Sequence, residues 1–343
     1  SSSLVAFHYA VQDLRHGVTN FAVVGGVNAI LSPFINITMS KGGYLSPDSR
    51  SKTFDVDANG YARGEGAGVV LLKPLTDALK DGDKIYATVQ GTGVNQDGRT
   101  AGISQPSKTA QIRLIKTIMQ ENDIPRENVV LVEAHGTGTA IGDPTEISAL
   151  AAALGKMPSG QRRYISSVKG NIGHQEAGAG IAGVIRAALS LSKGFALPQA
   201  NFTKLNPDLN LKGGSFAIFK TPQKLSETLK PNFVCINSFG YGGTNAHAIL
   251  RDHRSDFFES GLDKEVFPSV PLIFSGRTPK SLVSNMENVI HFLKNKTNEN
   301  ISDVAFSLAV GREGMEFRES IICQTIDPIE TTISSIEKKI EEL

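Results

Sequence analysis

Two stretches of this chain would be apolar on every side if they formed helices, and that limits the architecture severely. Residues 4–14 carry Leu4, Val5, Ala6, Phe7, Tyr9, Ala10, Val11 and Leu14. Residues 177–192 have the same all-round character, with Gly178, Gly180 and Gly183 added. A surface helix keeps one polar face, so neither stretch fits the outside of a single sheet. Glycine costs about 1 kcal/mol against alanine inside a helix, so three of them point to close packing against neighbours. The arrangement that satisfies both helices is a five-layer α/β/α/β/α sandwich with these two in the middle layer.

The rest of the chain alternates between strand-like and helix-like segments. Residues 21–24, 68–72, 85–89, 129–132 and 164–168 read as strands, the first two as buried ones, with a long Gly/Ser/Asp-rich irregular excursion between those two. Residues 109–119 place Ile112, Ile115, Ile118 and Met119 close to helical spacing. A helix is expected from about Pro144, with Asp143 as its N-cap and Glu146 three residues on. Residues 233–236 form an apolar strand that buries Cys235, and His247 follows Asn245 on another strand as a structural residue.

Two segments place histidines among small residues. In residues 133–146, EAHGTGTAIGDPTE, His135 ends an apolar run and meets a Gly-Thr-Gly-Thr turn. In residues 167–180, SVKGNIGHQEAGAG, Lys169 leads His174 by five residues at the start of the second apolar helix. A strand ending in one histidine and a helix starting near another can aim two imidazoles into one pocket. Lys169 at that fixed lead is read as a pocket residue. Gly240, Gly242 and Gly243 form a glycine turn, and no Gly-Lys-Ser/Thr follows to make it a phosphate loop.

These two segments, the NSFGYGGTNAH loop at 237–247 and the TFDVDANGYARGEGAG stretch at 53–68 resemble the beta-ketoacyl synthase family. The resemblance covers roughly residues 1–250 and is strongest to the ketosynthase of a modular polyketide synthase or an animal-type fatty acid synthase. It implies a thiolase-like fold. In such ketosynthases the nucleophilic cysteine precedes a Ser-Ser-Ser-Leu-Val-Ala run, and this chain opens with Ser1-Ser2-Ser3-Leu4-Val5-Ala6, its first methionine being Met39. The expectation is a fragment cut just after its own nucleophile, inactive alone and with sheet edges left open. The expected divisions are 1–75 for the remainder of the N-terminal ketosynthase half, 76–255 for the C-terminal half, and 256–343 for a ketosynthase-to-acyltransferase linker subdomain. The last rests on the Gly311-Arg312 and Phe317-Arg318 pattern, a charged turn at 251–264, a strand at 270–275 and helices at 282–293 and 302–310. The charged run 335–343 reads equally well as a solvated helix.

The activity implied by the resemblance is a decarboxylative Claisen condensation between an acyl thioester and a malonyl-type extender. Its partners would be acyl carrier protein, acyl and malonyl thioesters, a second copy in a homodimer and a downstream acyltransferase domain. The substrates would ride on phosphopantetheine, and the domain would need no cofactor and no metal of its own. His135 and His174 would donate hydrogen bonds to the enolate oxygen, with helix N-termini helping to keep imidazoles neutral. Lys169 would orient His174 and hold charge, with Glu176 beside it. Thr137 and Thr139 would bond the pantetheine amides, and the tetrahedral oxyanion would rest on backbone amides at the cysteine and near Phe239–Gly240. Alternatives are a non-elongating or initiating ketosynthase, a structural dimerisation module, and a thiolase, which would need a second catalytic cysteine.

Composition agrees with a globular chain of about two domains: 40% hydrophobic, 20% charged and a net charge of +1. That balance offers no electrostatic footprint for nucleic acid. No apolar run reaches the roughly 18 residues of a membrane span, and the cytoplasm is the expected location. Cys235 and Cys323 are far apart and make neither a disulfide framework nor a metal clip.

Overall fold

The computed structural model of the protein describes residues 1–225, 231–253, 267–295 and 300–343. The chain divides into two compact units, Ser1–Arg254 and Ser255–Leu343. The first unit begins with α1 (Ser2–Arg15), β1 (Ala22–Asn28), α2 (Pro33–Lys41), β2 (Gly66–Leu72) and α3 (Leu75–Lys80). It continues with β3 (Thr88–Gln96), α4 (Lys108–Glu121), β4 (Val129–Glu133), α5 (Gly142–Leu154), β5 (Arg163–Ser166) and the one-turn α6 (Lys169–Ile172). Then follow α7 (Ala179–Lys193), the two-residue strands β6 (Phe195–Ala196), β7 (Phe216–Ala217) and β8 (Gln223–Lys224), and finally β9 (Phe233–Phe239) and β10 (Thr244–Arg251).

The centre is a six-stranded mixed sheet in the order β3-β10-β9-β4-β5-β7. Strands β9, β4, β5 and β7 run parallel, and β10 and β3 join antiparallel at one side. One face packs on α4 and α5 through Leu114, Ile115, Ile147, Leu150 and Ile249. The other packs on α1 and α7 through Leu4, Phe7, Ile181, Val184 and Ile236. Beyond those helices lies the antiparallel pair β1–β2. Four of the five expected layers are therefore present among the described residues.

The two middle helices meet as the glycines suggested. A Cβ on Gly180 would come within 2.6 Å of the backbone nitrogen of Leu4, so only glycine lets α1 and α7 approach this closely. The Ile181 N–H donates to Ser3 Oγ across the same contact at 3.1 Å. Two expectations need correction. Helix α1 is not buried all round: Leu4, Phe7 and Val11 face the core, while Tyr9 is 60% exposed, because no described element packs on that side. Strands β1 and β2 are likewise not buried on both faces: Val23, Val27, Val69 and Leu71 lie on an open outer face.

Smaller differences have local causes. The excursion between β1 and β2 contains α2, whose N-cap Ser32 accepts the Phe34 N–H and whose first residue is Pro33. Helix α5 begins before Pro144, with Ile141 at its N-cap and no side-chain cap, so Asp143 does not cap it. The second unit pairs β11 (Ser269–Gly276) with β12 (Phe317–Gln324) and adds α8 (Pro279–Asn295), α9 (Ile301–Val310) and α10 (Ile329–Glu341). Helix α10 is not a fully solvated tail: Thr332, Ile333 and Ile336 are buried in that unit's core. The expected charged turn lies largely outside the described residues, from 254 onward.

Candidate active site

His135 stands just past the end of β4, on a turn held from below by two carboxylates. Both oxygens of Glu146 accept backbone N–H groups, from His135 and from Gly136, each at 2.8 Å. Asp143 does the same for the next turn, accepting from Gly138 at 3.0 Å and from Phe54 at 2.8 Å. Both carboxylates are almost fully buried. Burial pushes the Asp143 carboxyl up to about 7 and raises Glu146, against the pull of those N–H bonds. The Asp-x-x-Glu pattern that reads as a helix cap is in fact the support of the His135 turn. Capping and loop support use the same residue types, so spacing alone does not separate them.

His174 lies on a second turn, between α6 and α7. Its N–H donates to Ala62 O at 2.7 Å and its carbonyl accepts from Gly64 at 2.9 Å. Residues 62–64 thus clasp it from both sides. The turn continues through Glu176, a non-glycine residue at φ +45°, into a single 3₁₀ turn before α7 starts at Ala179. His174 therefore does not cap the long helix. Burial, reinforced by Lys169, is what holds its imidazole well below the ordinary histidine value. Burial, again followed by Lys169, does the same for His135.

The tautomers follow from the backbone. The Phe239 N–H donates to His135 Nδ1 at 3.3 Å, and the Glu176 N–H donates to His174 Nδ1 at 2.9 Å. A backbone N–H can only donate, so each Nδ1 is an acceptor and each proton sits on Nε2. The rings meet nearly edge-on, 5.4 Å between centroids and 83° between planes. Both residues line one cavity of about 620 Å³, with Ser1, Thr137, Thr139, Phe239, Gly240 and Tyr241. Two neutral imidazoles, each with one N–H to give, share one chamber.

The other expected residues separate into groups. The Thr137 and Thr139 hydroxyls stand 3.1 Å apart on the cavity wall. The Phe239 ring packs 5.7 Å from His135. Of the amides expected near Phe239–Gly240 to take an oxyanion, the Gly240 N–H is already committed to Thr244 O at 2.7 Å. Of the two amides, only that of Phe239, in its long 3.3 Å bond, is placed to be shared. Lys169 is buried and absent from the cavity lining. Burial lowers its pKa, opposed by Glu133, Glu146 and Asp143. Glu176 is not its companion. That carboxylate takes Arg63 in a two-pronged pair, at 2.6 and 2.9 Å. Glu133 instead ties the two histidine segments together, accepting the Val168 N–H at 2.6 Å and pairing with buried Arg186 at 2.9 Å. Glu133, Arg63 and Asn237 carry structural work around the site that their motifs did not disclose, and His247, expected as a structural residue, is buried beside Asn237.

Neither cysteine lines the cavity. Cys235 is fully buried in β9, and burial pushes its thiol up to about 12. That excludes it as a thiolase-type second nucleophile. Among the described residues no cluster of His, Cys, Asp and Glu could hold a metal ion, and no helix is long and apolar enough to cross a membrane.

Comparison with known proteins agrees with this geometry. Residues 1–78 match the beta-ketoacyl synthase N-terminal domain, 86–203 the beta-ketoacyl synthase C-terminal domain, and 206–322 the ketoacyl-synthetase C-terminal extension. The chain belongs to the beta-ketoacyl synthase family. It is 45% identical over 293 residues to a highly reducing polyketide synthase of Aspergillus carbonarius, covering 85% of this chain and 11% of that protein. It is 38% identical over 341 residues to the 6-methylsalicylic acid synthase of Penicillium patulum, covering 98% of this chain and 19% of that one. Among solved structures, the ketosynthase from module 6 of the bacillaene synthase from Bacillus subtilis 168 superposes with a TM-score of 0.85 at 35% identity. That match covers all of this chain and 59% of the ketosynthase, so the fold is the thiolase-like ketosynthase fold, present in part. The chain spans between about a tenth and a fifth of these two curated relatives.

Proposed function

We propose that this chain supplies the histidine side of a condensing site that joins an acyl thioester to a malonyl-type extender carried on phosphopantetheine of an acyl carrier protein. The observation that carries this reading is the pair of Nε2–H donors, both fixed by backbone N–H bonds to Nδ1 and both facing one chamber. In the first step the bond between the extender's α-carbon and its carboxylate breaks and carbon dioxide leaves. The electron pair passes into an enolate, whose oxygen takes hydrogen bonds from His135 and His174. In the second step the enolate carbon attacks the acyl thioester carbonyl, a carbon–carbon bond forms and the thiolate departs. Donors already in place stabilise the developing charge without reorganising, an effect worth about 3–4 kcal/mol per donor in comparable sites.

The acyl group would ride on a cysteine thiol presented at the N-terminal end of α1, where Ser1 lines the chamber beside Gly240. Thr137 and Thr139 would take the amides of the pantetheine arm. Lys169 would set the field behind the imidazoles without touching substrate. The full enzyme would work as a homodimer in the cytoplasm, with the second unit as the platform for a neighbouring acyltransferase domain. The test is a full synthase polypeptide carrying this chain, supplied with carboxyl-labelled malonyl carrier protein. Release of labelled carbon dioxide with formation of the elongated β-ketoacyl product is expected. Neither release nor elongation in a folded protein would overturn the proposal.

A further inference from the structure

Behind the His135 turn runs a line of buried polar side chains that the chemistry above does not use. The Asn237 Nδ2 donates to Glu146 Oε1 at 2.7 Å, the same oxygen that accepts the His135 N–H. On its other side, Asn237 Oδ1 lies 2.6 Å from His247 Nδ1. Asn237 and His247 stand directly opposite each other across β9 and β10, so the strand pairing sets their approach. Both are at most 3% exposed.

The hydrogen-bond roles along this line admit one direction. Glu146 accepts from three N–H groups and needs donors on every side. Asn237 must therefore turn its amide nitrogen to Glu146 and its carbonyl oxygen to the histidine. That oxygen can only accept, so His247 carries its proton on Nδ1. His247 Nε2 is buried with no hydrogen-bond partner among the described residues, so Asn237 is the one polar group this ring engages. A buried histidine whose Nδ1–H donates to an asparagine carbonyl favours one facing of that amide.

We propose that His247 is a positioning residue for His135, acting through Asn237 and Glu146. Without it the Asn237 amide is free to turn its oxygen toward the carboxylate. Glu146 then gives up a donor and its grip on the His135 and Gly136 amides. The Nε2–H of His135 would lose its aim at the enolate oxygen. Neither the acyl-accepting thiol nor the arm contacts at Thr137 and Thr139 would change. This inference rests on the condensing function proposed above.

The experiment compares His247→Leu, which lacks the donor, with His247→Asn, whose amide nitrogen falls near the place of Nδ1, in the full synthase polypeptide. Malonyl-carrier decarboxylation and acyl loading are measured separately. For His247→Leu, kcat for decarboxylation is expected to fall about tenfold, as for a loss of one neutral hydrogen bond's worth of alignment. The KM and the loading rate should hold, and His247→Asn should recover most of the loss. In a His135→Ala background His247→Leu should have no further effect on decarboxylation. Equal losses in loading and decarboxylation would overturn the proposal, as would a multiplicative loss on top of His135→Ala or an asparagine variant as impaired as leucine. If the leucine variant does not fold, His247→Gln, which carries its amide nitrogen toward the Nε2 place, takes its part. A glutamine variant as active as the asparagine one would then overturn it. Unmutated protein that releases no carbon dioxide would instead remove the function proposed above, so the two failures are distinct.

Discussion

The two histidine turns reach the same end by opposite means. The His135 turn hangs on side chains: Glu146 and Asp143, both buried, bind four backbone N–H groups between them. The His174 turn hangs on backbone: Ala62 and Gly64 clasp it, and the Arg63–Glu176 pair lies over it with Glu176 part exposed. Both rings end as neutral imidazoles with the proton on Nε2. A turn held by buried carboxylates concentrates its stability in a few residues and suffers when one is cut. A turn held by its own backbone is indifferent to most side-chain truncations and sensitive to anything that blocks the approach.

Cutting the imidazoles themselves should have the largest effect. If His135 acts as the proposed donor to the enolate oxygen, His135→Ala should lower malonyl decarboxylation by about a hundred- to a thousandfold. Acyl loading should survive, as measured by transfer of a labelled acyl group to the protein. Equal loss of both activities would place His135 in the loading chemistry instead.

The supports come next, and here the two turns should part. Glu146→Ala leaves the His135, Gly136 and Asn237 N–H groups without an acceptor in the interior. At about 1–3 kcal/mol for each buried group left unpaired, a loss of about 3 kcal/mol or more in unfolding free energy is expected, read from urea denaturation. On the other turn the matching change is Gly64→Ala, because a Cβ there would overlap the carbonyl oxygen of Ile172. It should displace His174 and lower decarboxylation, whereas Glu176→Gln, which leaves the backbone clasp intact, should not reproduce the loss. A Glu146→Ala protein as stable as its parent would dissolve the contrast.

What the sequence makes legible here follows the same division. His135, His174, Thr137 and Thr139 stand in short ordered motifs, and the structure brings all four to one cavity. The all-apolar stretches announce the middle layer, and Gly180 does make the close approach. Asp143 and Glu146 carry the chemistry of a helix cap, and only the fold shows that they reach back to the preceding turn. Arg63 and Glu176 are 113 positions apart and Asn237 and Glu146 are 91 apart, so no local pattern can pair them. The open faces of α1 and β1–β2 were misread because apolar residues report that a face wants cover, and not whether the chain provides it.

Proton linkage gives a smaller and more gradual difference. Burial pushes His247 down to about 3, from an ordinary 6.5. A histidine whose folded pKa is depressed contributes stability that is present above 6.5 and lost as pH falls toward the folded value. Across that window each such histidine steepens the loss by about 1.4 kcal/mol per pH unit. His247→Asn removes one of them. Unfolding free energy of parent minus variant should therefore fall by that slope between about pH 6 and pH 4, measured by denaturation at each pH. A difference independent of pH would mean that His247 titrates normally in the folded protein.

The smallest effect is expected at the Arg63–Glu176 pair. Its geometry is two-pronged and close, yet 29% of the Glu176 side chain is exposed, and ion pairs open to water contribute about 0–1 kcal/mol. What Glu176 gives His174 directly is its backbone N–H, and that bond depends on the turn at φ +45° more than on the carboxylate. Arg63→Gln should therefore lower decarboxylation less than tenfold. Raising salt toward 1 M, where the screening length is about 3 Å, should narrow the gap between parent and variant. Glu146→Ala should show no such narrowing, because its partners are uncharged amides beyond the reach of solvent ions. If Arg63→Gln proved as damaging as Gly64→Ala, and equally so at all salt concentrations, the ion pair and not the backbone clasp would be what holds His174 in place.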